Sequence, residues 1–138
     1  MERVYTTPLV DKLGVRPGMR VALVNLAVEA NDEIRALLAD RTSDLTERWP
    51  EPDTDVVLLG AESLDELAPL PELAARIRSN GAIWVVSRKG KTATLRYEQM
   101  LDVAKAAGLI DNKVASFSAT HTAIRFVIPR ALRPKPAR

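Results

Sequence analysis

The chain has 138 residues, 46% of them hydrophobic, which is room for one domain with a real core and too little for two of ordinary size. Cysteine is absent, which excludes a disulfide frame, a thiolate nucleophile and cysteine-ligated zinc or iron–sulfur centres, and points to a cytoplasmic protein. The net charge of +2 hides a division: 7 Lys/Arg stand against 15 Asp/Glu up to Glu72 (−8), and 13 against 3 from Leu73 onward (+10). Such a split implies a basic face for an anion, head-to-tail self-association, or attraction between the halves of one fold. The opening MERVYTTPLVDKLG lacks the basic segment and unbroken apolar core of a signal peptide. No apolar stretch reaches the roughly 20 residues that span a bilayer, so no membrane partner is expected.

In chain order, Thr7 before Pro8 is an N-cap with proline at the first helical position, and Gly14 is a left-handed stop, so TPLVDKLG predicts a short helix. A turn, VRPGMR, leads to RVALVNL (20–26), an aliphatic run of the kind buried on both faces of a parallel sheet. Asn31 can cap a helix beginning at Asp32 and Glu33, with Ile34, Leu37 and Leu38 inward. RTSDLTERW holds a weak strand. DVVLLG (55–60) is a second buried strand, followed by Ser63 and Glu66 at capping-box spacing. Pro69 and Pro71 interrupt that helix, and another is expected from Pro71 to Arg78.

GAIWVVS (81–87) predicts a third buried strand, and LRYEQMLDVAKAAG an amphipathic helix with Tyr97, Met100, Leu101 and Ala104 inward and Gly108 as its stop. NKVASFS and TAIRFVI follow too closely for a crossover helix, so they must pair as an antiparallel hairpin. The sum is a single α/β domain over residues 1–129, a Rossmann-like three-layer sandwich with a mostly parallel sheet and a C-terminal antiparallel hairpin. The basic, proline-rich segment 130–138 reads as a disordered tail. In a doubly wound sheet the acidic and basic halves become opposite ends.

PLVDKLGVRPGMRVALVN, GAIWVVSRKGK, AGLIDNKV and TAIRFV together resemble a family of short, uncharacterised bacterial proteins with a truncated methyltransferase-like domain. The resemblance spans roughly residues 8 to 128 and fits least between about 27 and 54. It implies the methyltransferase-like Rossmann fold without a mechanism. The family pattern carries a tryptophan in the hairpin where this chain has His121.

An S-adenosylmethionine enzyme of this fold needs a glycine-rich loop after the first strand, because glycine lets the backbone approach the cofactor. Here the segment reads NLAVEAND, and no glycine occurs between Gly18 and Gly60. The same gap removes the G-x-G-x-x-G that a dinucleotide requires, so no cofactor is expected. Asp44 or Glu47 could reach a ribose but reads better as a surface carboxylate. SRKGKT (87–92) ends like a phosphate loop, yet the glycine that G-x-x-x-x-G-K-[ST] demands five residues earlier is Val85, so that reading is rejected.

Ligands of open α/β sheets bind at the carboxyl ends of the strands. Asn25, Ser63, Ser87, Arg88, Lys89 and Lys91, with Glu62 beside them, should meet there as an anion-binding mouth; the alternative is a solvated basic connection. His121, the lone histidine, reads as an exposed turn residue with too few companions for zinc. A Ser87–His121–aspartate triad lacks the G-x-S-x-G elbow, and no catalytic residue is assigned. Trp84 reads as core, and Trp49 as a surface anchor. Arg130, Arg133, Lys135 and Arg138 could contact nucleic-acid phosphates, but no aromatic residue interleaves with them. The resulting expectation is a non-catalytic domain that binds a small anionic ligand or a protein partner, with homo-oligomers as one form. The alternatives are an atypical S-adenosylmethionine-dependent methyltransferase, a nucleotide-dependent transferase, or a nucleic-acid-binding basic half.

Overall fold

The computed structural model describes residues 8–133, with the side chains of 28–30 left aside. Thr7, proposed as a cap, lies outside the described residues, as do Lys135 and Arg138. The elements are α1 (Leu9–Lys12), β1 (Arg20–Val24), α2 (Val28–Arg41), β2 (Asp44–Thr46), β3 (Thr54–Gly60), α3 (Leu70–Ala74), β4 (Ile77–Arg88), α4 (Tyr97–Ala106), β5 (Ile110–Ser116) and β6 (His121–Val127). The strands form one sheet in the order β2-β1-β3-β4-β6-β5, parallel from β2 to β4 and antiparallel through β6 and β5. The chain begins at β1, winds to the β2 edge, then returns through β3, so the switch point lies between β1 and β3. The acidic half thus builds one end of the sheet and most of the basic half the other.

Successive side chains of a strand point to opposite faces. Ala22, Val57, Leu59, Ile83, Val85, Ile124 and Phe126 therefore share one buried face, covered by Leu70 and Leu73 of α3 and Met100 and Ala104 of α4. Val21, Leu23, Leu58, Trp84 and Val86 share the other, beneath Val10 and Leu13 around α1 and Ile34 and Leu38 of α2. This is the three-layer sandwich. Trp84 is wholly buried, and its Nε1 donates to the Leu13 carbonyl at 3.1 Å, pinning the α1 segment to the sheet. No helix among the described residues is long and apolar enough to cross a membrane.

Several local expectations need correction. Helix α2 starts at Val28 rather than Asp32, so Asn31 is inside it and not its cap. Asn25 has a left-handed φ of 53°, which turns the chain back within two residues of β1, and Leu26 and Ala27 pack on the apolar cluster beneath α2. Packing there overrides the capping preference. Leu37 is 40% exposed, because it stands about 100° round the helix from the fully buried Leu38. Tyr97, also 40% exposed, begins α4 and donates its hydroxyl to Asp111 on β5 instead of entering the core. Helix α3 ends at Ala74, not Arg78, because β4 already starts at Ile77. Segment 130–132 forms a short 3-10 turn, and Arg133 Nε donates to the Ile128 carbonyl at 2.9 Å.

Candidate functional site

At the carboxyl ends of the strands, Asn25 Nδ2 donates to the Gly60 carbonyl at 3.0 Å and to Glu66 Oε2 at 2.6 Å. Gly60 is required by this closure: a Cβ there would lie 2.2 Å from the Asn25 carbonyl oxygen. Glu66 comes from the 3-10 turn Asp65–Leu67; its Oε1 accepts from the Glu62 N–H at 2.8 Å, and Ser63 Oγ accepts from its own N–H at 3.3 Å. The capping pair foreseen at Ser63 and Glu66 is thus built, with the carboxylate reaching one residue further back. Glu62 accepts from the Arg88 N–H through both oxygens, at 3.0 and 3.2 Å, and Thr94 Oγ1 donates to its carbonyl at 2.6 Å. These bonds tie β1, β3 and β4 together just beyond their ends.

His121 completes the arrangement and overturns its reading as an exposed turn residue. It opens β6 opposite Arg88 of β4, which draws the ring over the sheet and leaves it 1% exposed; the turn proper is Ser118–Thr120. Nδ1 lies 2.8 Å from Thr120 Oγ1, whereas Nε2 is buried with no hydrogen-bond partner among the described residues, 3.7 Å from Glu62 Oε2. Asn25, Leu26, Ala27, Glu62, Glu66 and His121, above Gly60, Ala61 and Val86, line a cavity of about 220 Å³.

Of the residues expected at the mouth, Asn25 and the accompanying Glu62 line this cavity. Ser63 borders a more open neighbouring depression of about 420 Å³ with Thr94 and Gln99. Ser87 is buried within β4, and Arg88 meets the site through its backbone N–H. Lys89 Nζ donates to Ser116 Oγ at 2.9 Å on the hairpin, and Lys91 is exposed in the 3-10 turn Gly90–Thr92. The lining is therefore acidic and imidazole-bearing where cations were expected. Asp44 and Glu47 are taken by Arg20 (3.1 Å) and Arg35 (2.7 Å) at the β2 edge, away from the cavity, and Trp49 is 39% exposed in the loop that follows. Among the described residues no group of three or more His, Asp or Glu could hold a metal ion.

Residues 10–130 match the family described as "Protein of unknown function (DUF3052)". The chain belongs to the DUF3052 family. Several solved structures are similar to this DUF3052 protein, methyltransferases and a pericyclic-reaction enzyme among them. One is a TehB-like S-adenosylmethionine-dependent methyltransferase from Corynebacterium glutamicum, with a TM-score of 0.63, 13% identity, and 87% of this chain and 85% of that one covered. Another is fibrillarin from Aeropyrum pernix with natively bound S-adenosylmethionine, with a TM-score of 0.54, 14% identity, and 86% and 73% covered. A third is an O-methyltransferase from neocarzinostatin biosynthesis, solved with S-adenosylhomocysteine, with a TM-score of 0.52, 16% identity, and 78% of this chain but 41% of that one covered. At these identities the likeness establishes the methyltransferase-like Rossmann fold alone. No curated protein matches the sequence.

Proposed function

We propose that this DUF3052 protein is a non-catalytic binding domain that holds a small polar molecule in the crevice between His121 and Asn25. The observation that carries the reading is His121 Nε2, a buried polar atom with no hydrogen-bond partner among the described residues, on the wall of a cavity at the switch-point edge of the sheet. An unsatisfied buried group costs about 1–3 kcal/mol, which a ligand atom hydrogen-bonded to Nε2 would offset. The carboxylates of Glu62 and Glu66 alongside favour a neutral or cationic molecule. An anion, as the charge pattern first suggested, would have to sit further out towards Lys91.

The methyltransferase alternative draws on structural neighbours solved with S-adenosylmethionine or its demethylated product. Two features weigh against it. The Asn25–Leu26 backbone lies against Gly60, where a glycine-rich loop would leave the cofactor its approach. The remaining volume of about 220 Å³ is below the roughly 300 Å³ at which pockets for drug-sized molecules begin.

The test is thermal unfolding at fixed salt with small amides, amines and amino acids, alongside S-adenosylmethionine and S-adenosylhomocysteine, since a molecule preferring the folded state raises the midpoint. A rise with one of the small molecules, lost in His121→Phe, supports the reading. A saturable rise with S-adenosylmethionine or S-adenosylhomocysteine would favour the enzyme alternative instead.

A further inference from the structure

The hairpin carries an opposed pair of cations about 13 Å along β6 from His121, at the strand rise of roughly 3.3 Å per residue. There Lys113 of β5 stands directly opposite Arg125 of β6. Side chains so opposed have Cβ atoms about 4.5–5.5 Å apart, and like charges in that position destabilise a sheet. Arg125 is partly buried, with the wholly buried Trp84 as its neighbour on β4. Arg20, Arg35, Arg41 and Arg78 each have a carboxylate partner, but none among the described residues pairs with Arg125.

Its hydrogen bond runs from Nη1 to Asn112 Oδ1 at 3.2 Å, and Asn112 is the residue at which the β5–β6 register shifts. That irregularity brings the amide to the guanidinium and orients its plane. Nε and Nη2, which form the side edge of the guanidinium, have no protein partner among the described residues. Lys113 Nζ reaches the Lys12 carbonyl at 3.4 Å, and among the described residues it too pairs with no carboxylate. Burial, and then the charge of nearby Arg133, lower the pKa of Arg125 from its ordinary value. Arg125 is therefore a partly desolvated cation facing an exposed lysine across the hairpin, with Arg133 near enough to act on its charge and no carboxylate paired with it among the described residues, an arrangement folds avoid unless something negative occupies it.

We propose that Arg125, with Lys113 and Arg133, binds the phosphate group of a small phosphorylated molecule. A guanidinium whose side edge is free takes two phosphate oxygens at once, and the two further cations suit a group with close to two negative charges. The site is independent of the crevice and does not rest on the binding reading given for it.

The experiment measures the unfolding midpoint of the full chain with inorganic phosphate, pyrophosphate and a single-stranded oligonucleotide, each against sodium chloride at matched ionic strength. The proposal expects a saturable rise with phosphate or pyrophosphate that disappears in Arg125→Gln and shrinks in Lys113→Gln. It also expects Arg125→Gln without phosphate to melt no lower than the native chain, because one of two opposed cations is gone. Arg125→Lys keeps the charge but not the fork, and should weaken phosphate binding roughly tenfold or more. An equal rise in Arg125→Gln, or no rise in the native chain with either phosphate, overturns the site. A rise with the oligonucleotide alone, lost in Arg125→Gln, overturns the small-molecule source in favour of a nucleic-acid backbone.

Discussion

Gly60→Ala is the sharpest perturbation of the crevice. Gly60 closes β3 without a left-handed φ, so alanine meets no backbone penalty there. Where space exists, such an exchange stabilises by about 0.4–1 kcal/mol through the unfolded chain. Here the added Cβ would stand 2.2 Å from the Asn25 carbonyl oxygen and 2.9 Å from Leu26 Cα, both backbone atoms. The β1 loop would have to retreat by at least 0.8 Å to reach the 3.0 Å limit of real Cβ contacts, stretching the bond from Asn25 Nδ2 to the Gly60 carbonyl. Overpacking of this kind costs about 1–3 kcal/mol, and one strained hydrogen bond adds up to about 1 kcal/mol. The expected loss is about 1–4 kcal/mol in urea unfolding, with the slope unchanged. A stability within about 0.5 kcal/mol of the native chain, or above it, would refute the contact between the β1 loop and β3.

Two further outcomes are expected. Trp84→Phe removes the donor to the Leu13 carbonyl and part of a fully buried ring, and should cost about 2–4 kcal/mol in the same assay. Tyr97 should titrate above its ordinary value of 10.0, because its hydrogen bond to Asp111 comes first among the causes, followed by burial and the Asp111 charge. Its folded pKa is raised, so its stabilising contribution is full below about pH 10 and is lost as pH rises through the raised value. With only two tyrosines in the chain, an ultraviolet titration of the native protein against Tyr97→Phe isolates it, and a phenol midpoint at or below the ordinary value would contradict the bond.

What the sequence disclosed follows from where its signals are local. The central strands announce themselves as RVALV, DVVLLG and AIWVV because they are buried on both faces, and the brevity of the link between β5 and β6 dictates their hairpin. The start of β4 at Ile77 was hidden, since IRSN is polar and pairs only through Thr54. The start of α2 was hidden because the positive φ of Asn25, a tertiary effect, shortens the preceding loop. Most of the site was invisible for the same reason. Asn25 and Glu62 were legible as residues just beyond buried strands, but Glu66 looked like a helix cap and His121 like a turn. The overlooked signal for His121 is register: counting back along HTAIRFVI from the core positions Ile124 and Phe126 makes it the first residue of β6, level with Arg88. The lysines were placed at the mouth because they follow a central strand, and side-chain direction, which that position does not fix, takes Lys89 to Ser116 on the hairpin.

The central claim is that the crevice is a ligand site whose recognition atom is His121 Nε2. The chain has one histidine, so both imidazole nitrogen signals in NMR belong to His121, and their couplings to the ring protons tell Nε2 from Nδ1. They should be followed while small amides, amines and amino acids, S-adenosylmethionine and S-adenosylhomocysteine are added in turn. The account predicts a saturable change at Nε2 with at least one of the small molecules and none with the two larger compounds. A saturable change with S-adenosylmethionine or S-adenosylhomocysteine, or an imidazole that responds to nothing added, would contradict it.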